Sequence, residues 1–211
     1  MIDNSWRSLF PEPEIKVALR ILYAECVNLS KKSPTEREDD VTDRLVAKIQ
    51  RNSVYRASNL DLKPQDSIYD RSGAKVGRLG IIDMSFYLLN TPKPVPYFAV
   101  EAKRLRFQLP SGKMDTGNSE YVSGDQGMRC FTDMRYSVGL QAGAMLGYVY
   151  DGNLSASKSG ISALIVKHAT SLKLKTPSAL QPSGMAGGGA DETMHLIDGS
   201  LFRMFHMFVA V

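Results

Sequence analysis

Two carboxylates stand alone inside apolar runs of this sequence. Asp83 follows Leu79-Gly80-Ile81-Ile82 and precedes Met84-Ser85-Phe86, while Glu101 follows Tyr97-Phe98-Ala99-Val100 and leads into Ala102-Lys103. Both runs have the texture of interior β-strands. Side chains alternate along a strand, so Glu101 and Lys103 leave one face and Ala102 the other. A buried carboxylate and ammonium are costly unless they serve each other or a ligand. Laid side by side, the two strands bring Asp83 and Glu101 together, and a divalent cation relieves the repulsion between them. Mg²⁺ takes hard oxygens in octahedral geometry: one or two carboxylates, water and substrate phosphate. Asp83 and Glu101 supply the carboxylates and the Ala102 backbone carbonyl a further oxygen. Lys103 beside the metal orients or deprotonates a water and neutralises charge on an attacked phosphate. The competing account is a structural ion pair of Glu101 with Lys103 or Arg104.

These residues need elements to hold them. Ile15, Ala18, Leu19, Leu22, Cys26 and Leu29 recur at helical spacing after Pro11 and Pro13, which predicts a helix over Glu14–Leu29. Ser33-Pro34 breaks it. Thr35-x-x-Glu38 has capping-box spacing, with Glu38, Val41, Leu45 and Ile49 lining one face of a second helix. Strands are expected at 66–69 and 75–89 around a turn at Asp70–Gly73, then at 97–103 after Pro92, Pro94 and Pro96. Residues 105–120 read as an exposed loop, Glu120–Gln141 as mixed helix, 143–150 as a strand and Leu154–Ala169 as an amphipathic helix. The segment 181–192, containing Gly187-Gly188-Gly189, reads as a mobile loop, and strands at 194–197 and 201–211 close the chain. The whole predicts one α/β domain over residues 1–211 with a central mixed sheet flanked by helices.

Bulk properties exclude several classes. The 211 residues are 43% hydrophobic and 23% charged, as in an ordinary globular domain. A net charge of +4 permits a polyanionic partner without requiring one. Cys26 and Cys130 lack zinc-ligand spacing, and two separated thiols fit a reducing compartment. MIDNSWRSLFPEPE lacks the pattern of a signal peptide, and no apolar stretch approaches the roughly 18–20 residues of a membrane span, so a cytoplasmic location is expected. The triple glycine lacks the Lys-Ser/Thr of a phosphate-cradling loop. His168, His195 and His206 form no ligand set, and His206, between Phe205 and Met207, reads as a core histidine.

Asp83 followed by Glu101-Ala102-Lys103 resembles the PD-(D/E)xK motif of the restriction-endonuclease-like nucleases, with Ile82 where the motif's proline would stand. Gly127-Met-Arg-Cys-Phe131, Tyr136 and Ala142-Gly-Ala-Met-Leu-Gly-Tyr148 add to the likeness, which covers roughly residues 36–150. The resemblance implies a restriction-endonuclease-like core and Mg²⁺-dependent hydrolysis of DNA, with Mn²⁺ as a substitute and defence against foreign DNA as a setting. It also implies an acidic residue on an early helix that completes the site, best matched by Glu38; Glu36, Asp39 and Asp40 are neighbours that can serve instead.

Arg104, Arg106 and Lys113 are candidates for phosphate contacts near the metal, with Arg129 and Gln141 as weaker ones. Solvated surface charge is the alternative for each cation. Double-strand cleavage by so short a chain calls for a homodimer or a place in a larger complex. Two further readings stay open: a catalytically quiet nucleic-acid-binding or assembly module, and an RNA-directed nuclease of the same fold.

Overall fold

The computed structural model of the chain describes residues 10–69, 77–91, 96–136, 140–175 and 179–211. Helix α1 (Glu12–Cys26) begins after Pro11 and carries Glu12 and Glu14 in its first turn, where the helix dipole favours anions. Ile15, Ala18, Leu19, Leu22 and Cys26 are all buried, as their spacing requires. Leu29 is buried too, but beyond the helix end. Helix α2 (Glu38–Ile49) buries Val41, Leu45 and Ile49, each burial contributing about 2 kcal/mol. A short α3 (Ser53–Ala57) is capped by Asn52, whose side chain accepts the Val54 and Tyr55 amides.

Strands β1 (Leu60–Tyr69) and β2 (Arg78–Leu88) pair antiparallel. The turn expected at Asp70–Gly73 lies outside the described residues, as do residues 75 and 76, Pro92 and Pro94. After β3 (Tyr97–Leu105), the expected loop is instead a small hairpin, β4 (Phe107–Gln108) with β5 (Met114–Asp115), followed by α4 (Asn118–Val122). The expected mixed helix reduces to α4 and α5 (Arg129–Thr132) among the described residues. Then come β6 (Ala142–Val149) and α6 (Leu154–Lys167), whose N-cap Asn153 accepts the Ala156 amide.

The segment 181–192 is only partly the expected loop. Its ends are strands, β7 (Gln181–Ser183) and β8 (Ala190–Ile197), paired with each other, and Met185 and Ala186 between them are buried in the core. Strand β9 (Ser200–Ala210) completes the sheet.

The sheet has seven strands in the order β1-β2-β3-β6-β9-β8-β7. At its centre β3, β6 and β9 run parallel, and the remaining pairings are antiparallel. Leu19, Leu22, Leu45 and Ile49 from α1 and α2 pack with Met84, Phe86, Val100 and Leu146 in one core. Tyr121, Phe131, Ile161 and Ile165 from α4, α5 and α6 pack with Ala99, Met145 and Phe202 in a second. The chain is thus α/β, a mixed sheet with a helical layer on either face. Among the described residues no helix is long and apolar enough to cross a membrane.

One irregularity positions the site. The β1–β2 ladder pairs Pro64 with Met84 and Asp66 with Ile82, and between them Gln65 takes φ of 46°, level with Asp83. Before this point the even-numbered side chains Leu60, Leu62, Met84 and Phe86 enter the first core; beyond it Ile68 and Ile82 enter the second. Both strands change face here. The β2–β3 ladder ends at the same level, with Met84 opposite Val100.

Candidate active site

Asp83 sits at the change of face, and its carboxylate takes a ladder position that a backbone carbonyl would otherwise hold. The Ala102 amide donates to Asp83 Oδ2 at 2.7 Å. Two residues after the Met84–Val100 pair, β3 is therefore joined to β2 by a side chain.

Glu101, on β3, is only 1% exposed. Its Oε1 accepts from Lys103 Nζ at 2.8 Å, while its Oε2 is buried and has no hydrogen-bond partner among the described residues. Lys103 Nζ also donates to the Ala102 carbonyl at 2.5 Å and to Glu38 Oε1 at 3.3 Å. The structural ion pair weighed from the sequence thus forms, with Lys103, inside the same cluster.

Glu38 departs from its expected capping role. Helix α2 begins at Glu38 itself, the N-cap is Arg37, and no side chain caps it. Its Oε2 instead accepts the Arg104 amide at 2.6 Å, which holds the start of α2 against β3. Glu36 is committed elsewhere, in an ion pair with Arg44 at 2.5 Å, and Asp39 pairs with Arg37 at 2.6 Å. Of the acidic residues at 36–40, Glu38 is the one that meets Lys103.

The electrostatics follow from three carboxylates around one ammonium. Burial, then the neighbouring Asp83, pushes Glu101 up to about 8. Burial raises Asp83 against the pull of Lys103 and the Ala102 amide. Glu38 is raised by burial, with Lys103 opposing and Asp83 adding to it. For Lys103 burial favours loss of the proton, but attraction to Glu101, Glu38 and Asp83 outweighs it and holds the ammonium well above its ordinary value. Behind Glu101, burial and that carboxylate push the Cys130 thiol up to about 12. Tyr136 packs on Gly80, where a Cβ would lie 2.5 Å from its ring, and donates to the Ile81 carbonyl at 2.8 Å, bracing β2 beside the cluster.

Above the cluster lies a cleft of about 390 Å³, lined by Glu38 from α2, Lys103 and Arg104 from β3, Phe107 and Asp115 from the hairpin, and Gly117, Glu120, Asp125 and Gln126 around α4. Gly117 has φ of 67°, and a Cβ there would stand 2.1 Å from the Arg104 carbonyl. Only glycine lets the hairpin return so close to β3.

The secondary candidates separate. Arg104 lines the cleft, stacks 4.1 Å over the Phe107 ring and donates to the Glu36 carbonyl at 2.9 Å. Arg106 is held by Asp151 at 2.7 Å. Lys113 is exposed in the hairpin turn, and Arg129 faces Asp133 across 3.6 Å. Gln141 is a correction. It lies just before β6, which runs parallel to β3 with Gly143 level with Ala99, so it sits at the far end of the strands from Lys103. There it approaches the Phe10 carbonyl at 3.5 Å, outside the cleft. Phe107 and Asp115 fell in the expected loop, Asp125 in the expected helix and Glu120 at their junction, so no common place was evident for them; the Asp115-Thr-Gly117 turn was the available signal.

His206 is a core residue, as its strand context indicated. The Leu172 carbonyl can only accept, so His195 Nδ1 donates to it at 2.7 Å. Thr193 then donates to His195 Nε2 at 2.7 Å and accepts from His206 Nε2 at 2.8 Å, leaving Tyr121 to donate to His206 Nδ1 at 3.0 Å. The chain satisfies every member with both imidazoles neutral.

The oxygens of the cluster suit a hard divalent ion: Asp83, Glu101 and Glu38 carboxylates, the Ala102 carbonyl, and above all the buried, unpartnered Glu101 Oε2. Among the described residues, however, no three His, Cys, Asp or Glu side chains converge in the arrangement of a metal site. The ammonium of Lys103 stands between Glu101 and Glu38 instead. Comparison of the chain with protein-family models, with curated proteins and with solved structures gives no match.

Proposed function

We propose that this chain is a Mg²⁺-dependent nuclease that hydrolyses phosphodiester bonds, with DNA as its favoured substrate and a restriction-endonuclease-like core as its scaffold. The observation that carries this reading is the meeting of Asp83, Glu101 and Lys103 with Glu38, from three elements, in one cluster whose Glu38 and Lys103 line a cleft. Buried carboxylates that repel one another store a demand for positive charge, which a scaffold without a cation to bind has little reason to keep.

Asp83, Glu101, Glu38 and the Ala102 carbonyl would hold the ion. When bound, Mg²⁺ lowers the pKa of a water and offsets charge on the phosphate. Lys103 orients the attacking water and neutralises a phosphoryl oxygen as the P–O bond to the leaving group breaks. Arg104, at the cleft, fixes an adjacent phosphate. Asp83 does double service, since its bond to the Ala102 amide also fixes where Glu101 and Lys103 project. Cutting both strands of a duplex then calls for a homodimer or a partner subunit. A cytoplasmic setting in defence against foreign DNA goes with this reading, and the free, buried Cys26 and Cys130 are compatible with it.

The test is digestion of matched DNA and RNA by the purified protein with Mg²⁺ or Mn²⁺ and with chelator. DNA should be cut in either metal, and Asp83→Ala and Lys103→Ala should each lower the rate by about a hundredfold or more while circular dichroism stays unchanged. Intact DNA and RNA in both metals would overturn the proposal, and preferential loss of RNA would redirect it to that substrate.

The quiet binding or assembly module has one observation in its favour: Lys103 already sits among the carboxylates and offsets part of their charge. Calorimetric titration with Mn²⁺ separates the two, because a quiet module shows no binding that Asp83→Asn removes.

A further inference from the structure

A row of hydrogen bonds joins the segment after α6 to α4 by way of β8 and β9. His195 Nδ1 donates to the Leu172 carbonyl at 2.7 Å. Thr193 Oγ1 stands 2.7 Å from His195 Nε2 and 2.8 Å from His206 Nε2, and the Tyr121 hydroxyl stands 3.0 Å from His206 Nδ1. Because a carbonyl only accepts, donation runs one way along the row, and Tyr121 at its end must donate. That end bears on the cleft. Tyr121 belongs to α4, which at five residues is too short to hold its place through its own backbone bonds. Glu120 beside it, with Gly117, Asp125 and Gln126, forms one wall of the cleft. Tyr121 itself is fully buried, its ring centre 5.6 Å from that of Phe208.

A proton on His206 Nδ1 removes the acceptor that Tyr121 uses. The hydroxyl is then left with the Met145 carbonyl, 3.4 Å away. Carboxylates able to balance the new charge are engaged or distant. Asp191, opposite His206 on β8, is paired with Lys158 of α6 at 2.8 Å. Glu101 is level with Met145, two strands from His206, and has Lys103 on its Oε1. His195 faces His206 across the Thr193 hydroxyl, so protons on both rings set two cations about a single oxygen. Burial, then His195, holds His206 well below its ordinary value. In water the same ring takes up a proton near pH 6.5. The helix that covers its Nδ1 is α4.

We propose that the row Tyr121–His206–Thr193–His195 is an acid-released latch: with both rings neutral it pins α4 and fixes the cleft wall, and a proton on His206 frees Tyr121 and lets α4 lift from the sheet. Acid thereby changes the cleft while the sheet stays intact, whatever the cleft takes.

The experiment is amide hydrogen exchange of the folded full chain, read by nuclear magnetic resonance at pH 7 and pH 5, with and without a low concentration of urea. Local opening is insensitive to such urea, whereas global unfolding is not. The amides of Tyr121, Ser123 and Gly124, bonded to the carbonyls of Gly117 and Ser119, report α4. After correction for intrinsic exchange, their urea-insensitive opening should rise about twentyfold from pH 7 to pH 5, the gain expected when an uncovered imidazole titrates normally. Tyr121→Phe keeps the ring but leaves His206 Nδ1 without its donor, and should open α4 at pH 7 at least about fivefold more often. His206→Gln should abolish the rise. Nitrogen shifts of the wild-type rings give a reading that needs no variant: at pH 7 His195 should carry its proton on Nδ1 and His206 on Nε2. Exchange of the α4 amides only through global unfolding, or a local opening equal at both pH values, overturns the latch. Wild-type protection in Tyr121→Phe, or a rise that survives His206→Gln, removes the fastening or the sensor and overturns it too. So does a neutral His206 protonated on Nδ1.

Discussion

Glu101 Oε2 is a carboxylate oxygen buried with no donor to satisfy it among the described residues. Such a group costs stability wherever it appears, and the cost here is compounded by Asp83 and Glu38 nearby. Neutralising it should therefore help the fold while harming the chemistry. In metal-free buffer near neutral pH, Glu101→Gln is expected to raise stability by about 1 kcal/mol in denaturant titration. The amide keeps the shape, and Lys103 retains Glu38 as a counter-charge. The same variant should lose DNA cleavage and most Mn²⁺ affinity. A clear loss of stability would mean that Glu101 serves chiefly as the structural partner of Lys103. Asp83 and Glu101-Ala102-Lys103 were legible in the sequence because charge inside an apolar run is a local signal. The orphaned oxygen and the three-way hold on Lys103 were not, since both depend on how α2 meets β3.

Elements with a strong period were read well: α1, α2, β3, β6 and α6 lie close to their expected ranges. The failures share a cause, which is that tertiary pairing outweighed local composition. Residues 107–115 look polar and turn-rich yet form a hairpin, held partly by the Leu109 and Lys113 backbones at 2.8 Å. Thr35 had the spacing of a cap, but Glu38 was worth more as a partner of β3. Strict alternation would also have placed Asp83 on one face of a regular strand, whereas Gln65 and Asp83 mark the level at which β1 and β2 change face. The hairpin's return is the most exposed of these devices to mutation. Gly117→Ala forces a Cβ against the Arg104 carbonyl and strains a left-handed backbone, so it should cost about 2 kcal/mol and slow any cleavage through displacement of Arg104. A wild-type melting curve for that variant would show that the hairpin can back away freely.

At the scale of the whole molecule, stability should depend on acidity through residues that do not line the cleft. His195 is lowered to about 4 by burial, against the Leu172 hydrogen bond, and His206 to about 3 by burial and His195. Both bind protons more readily when unfolded, so their contribution is complete above pH about 6.5 and is lost as the pH falls toward the folded values. By pH 5 each withdraws about 2 kcal/mol. The carboxylates of the site have the opposite sign: raised in the folded state, they oppose folding as pH rises rather than as it falls. Thermal melts from pH 7 to pH 5 in a Glu101→Gln background, which removes one of the opposing carboxylates, should still show a loss of stability, and a rise would contradict the burial of the two histidines as neutral rings.

The bend at Gln65 has an effect beyond the orientation of Asp83. Strand β1 borders the sheet, and an outermost strand with free main-chain groups invites another polypeptide to zip alongside it. Here the margin is interrupted midway: Pro64 lacks an N–H, Gln65 turns left-handed and exposed Lys63 adds charge. A neighbour could follow only a few residues before losing register. Contacts between copies of the chain at this margin would accordingly be made through side-chain surfaces and not by fusing their sheets into one, leaving the border strand as a guard against fibrous growth.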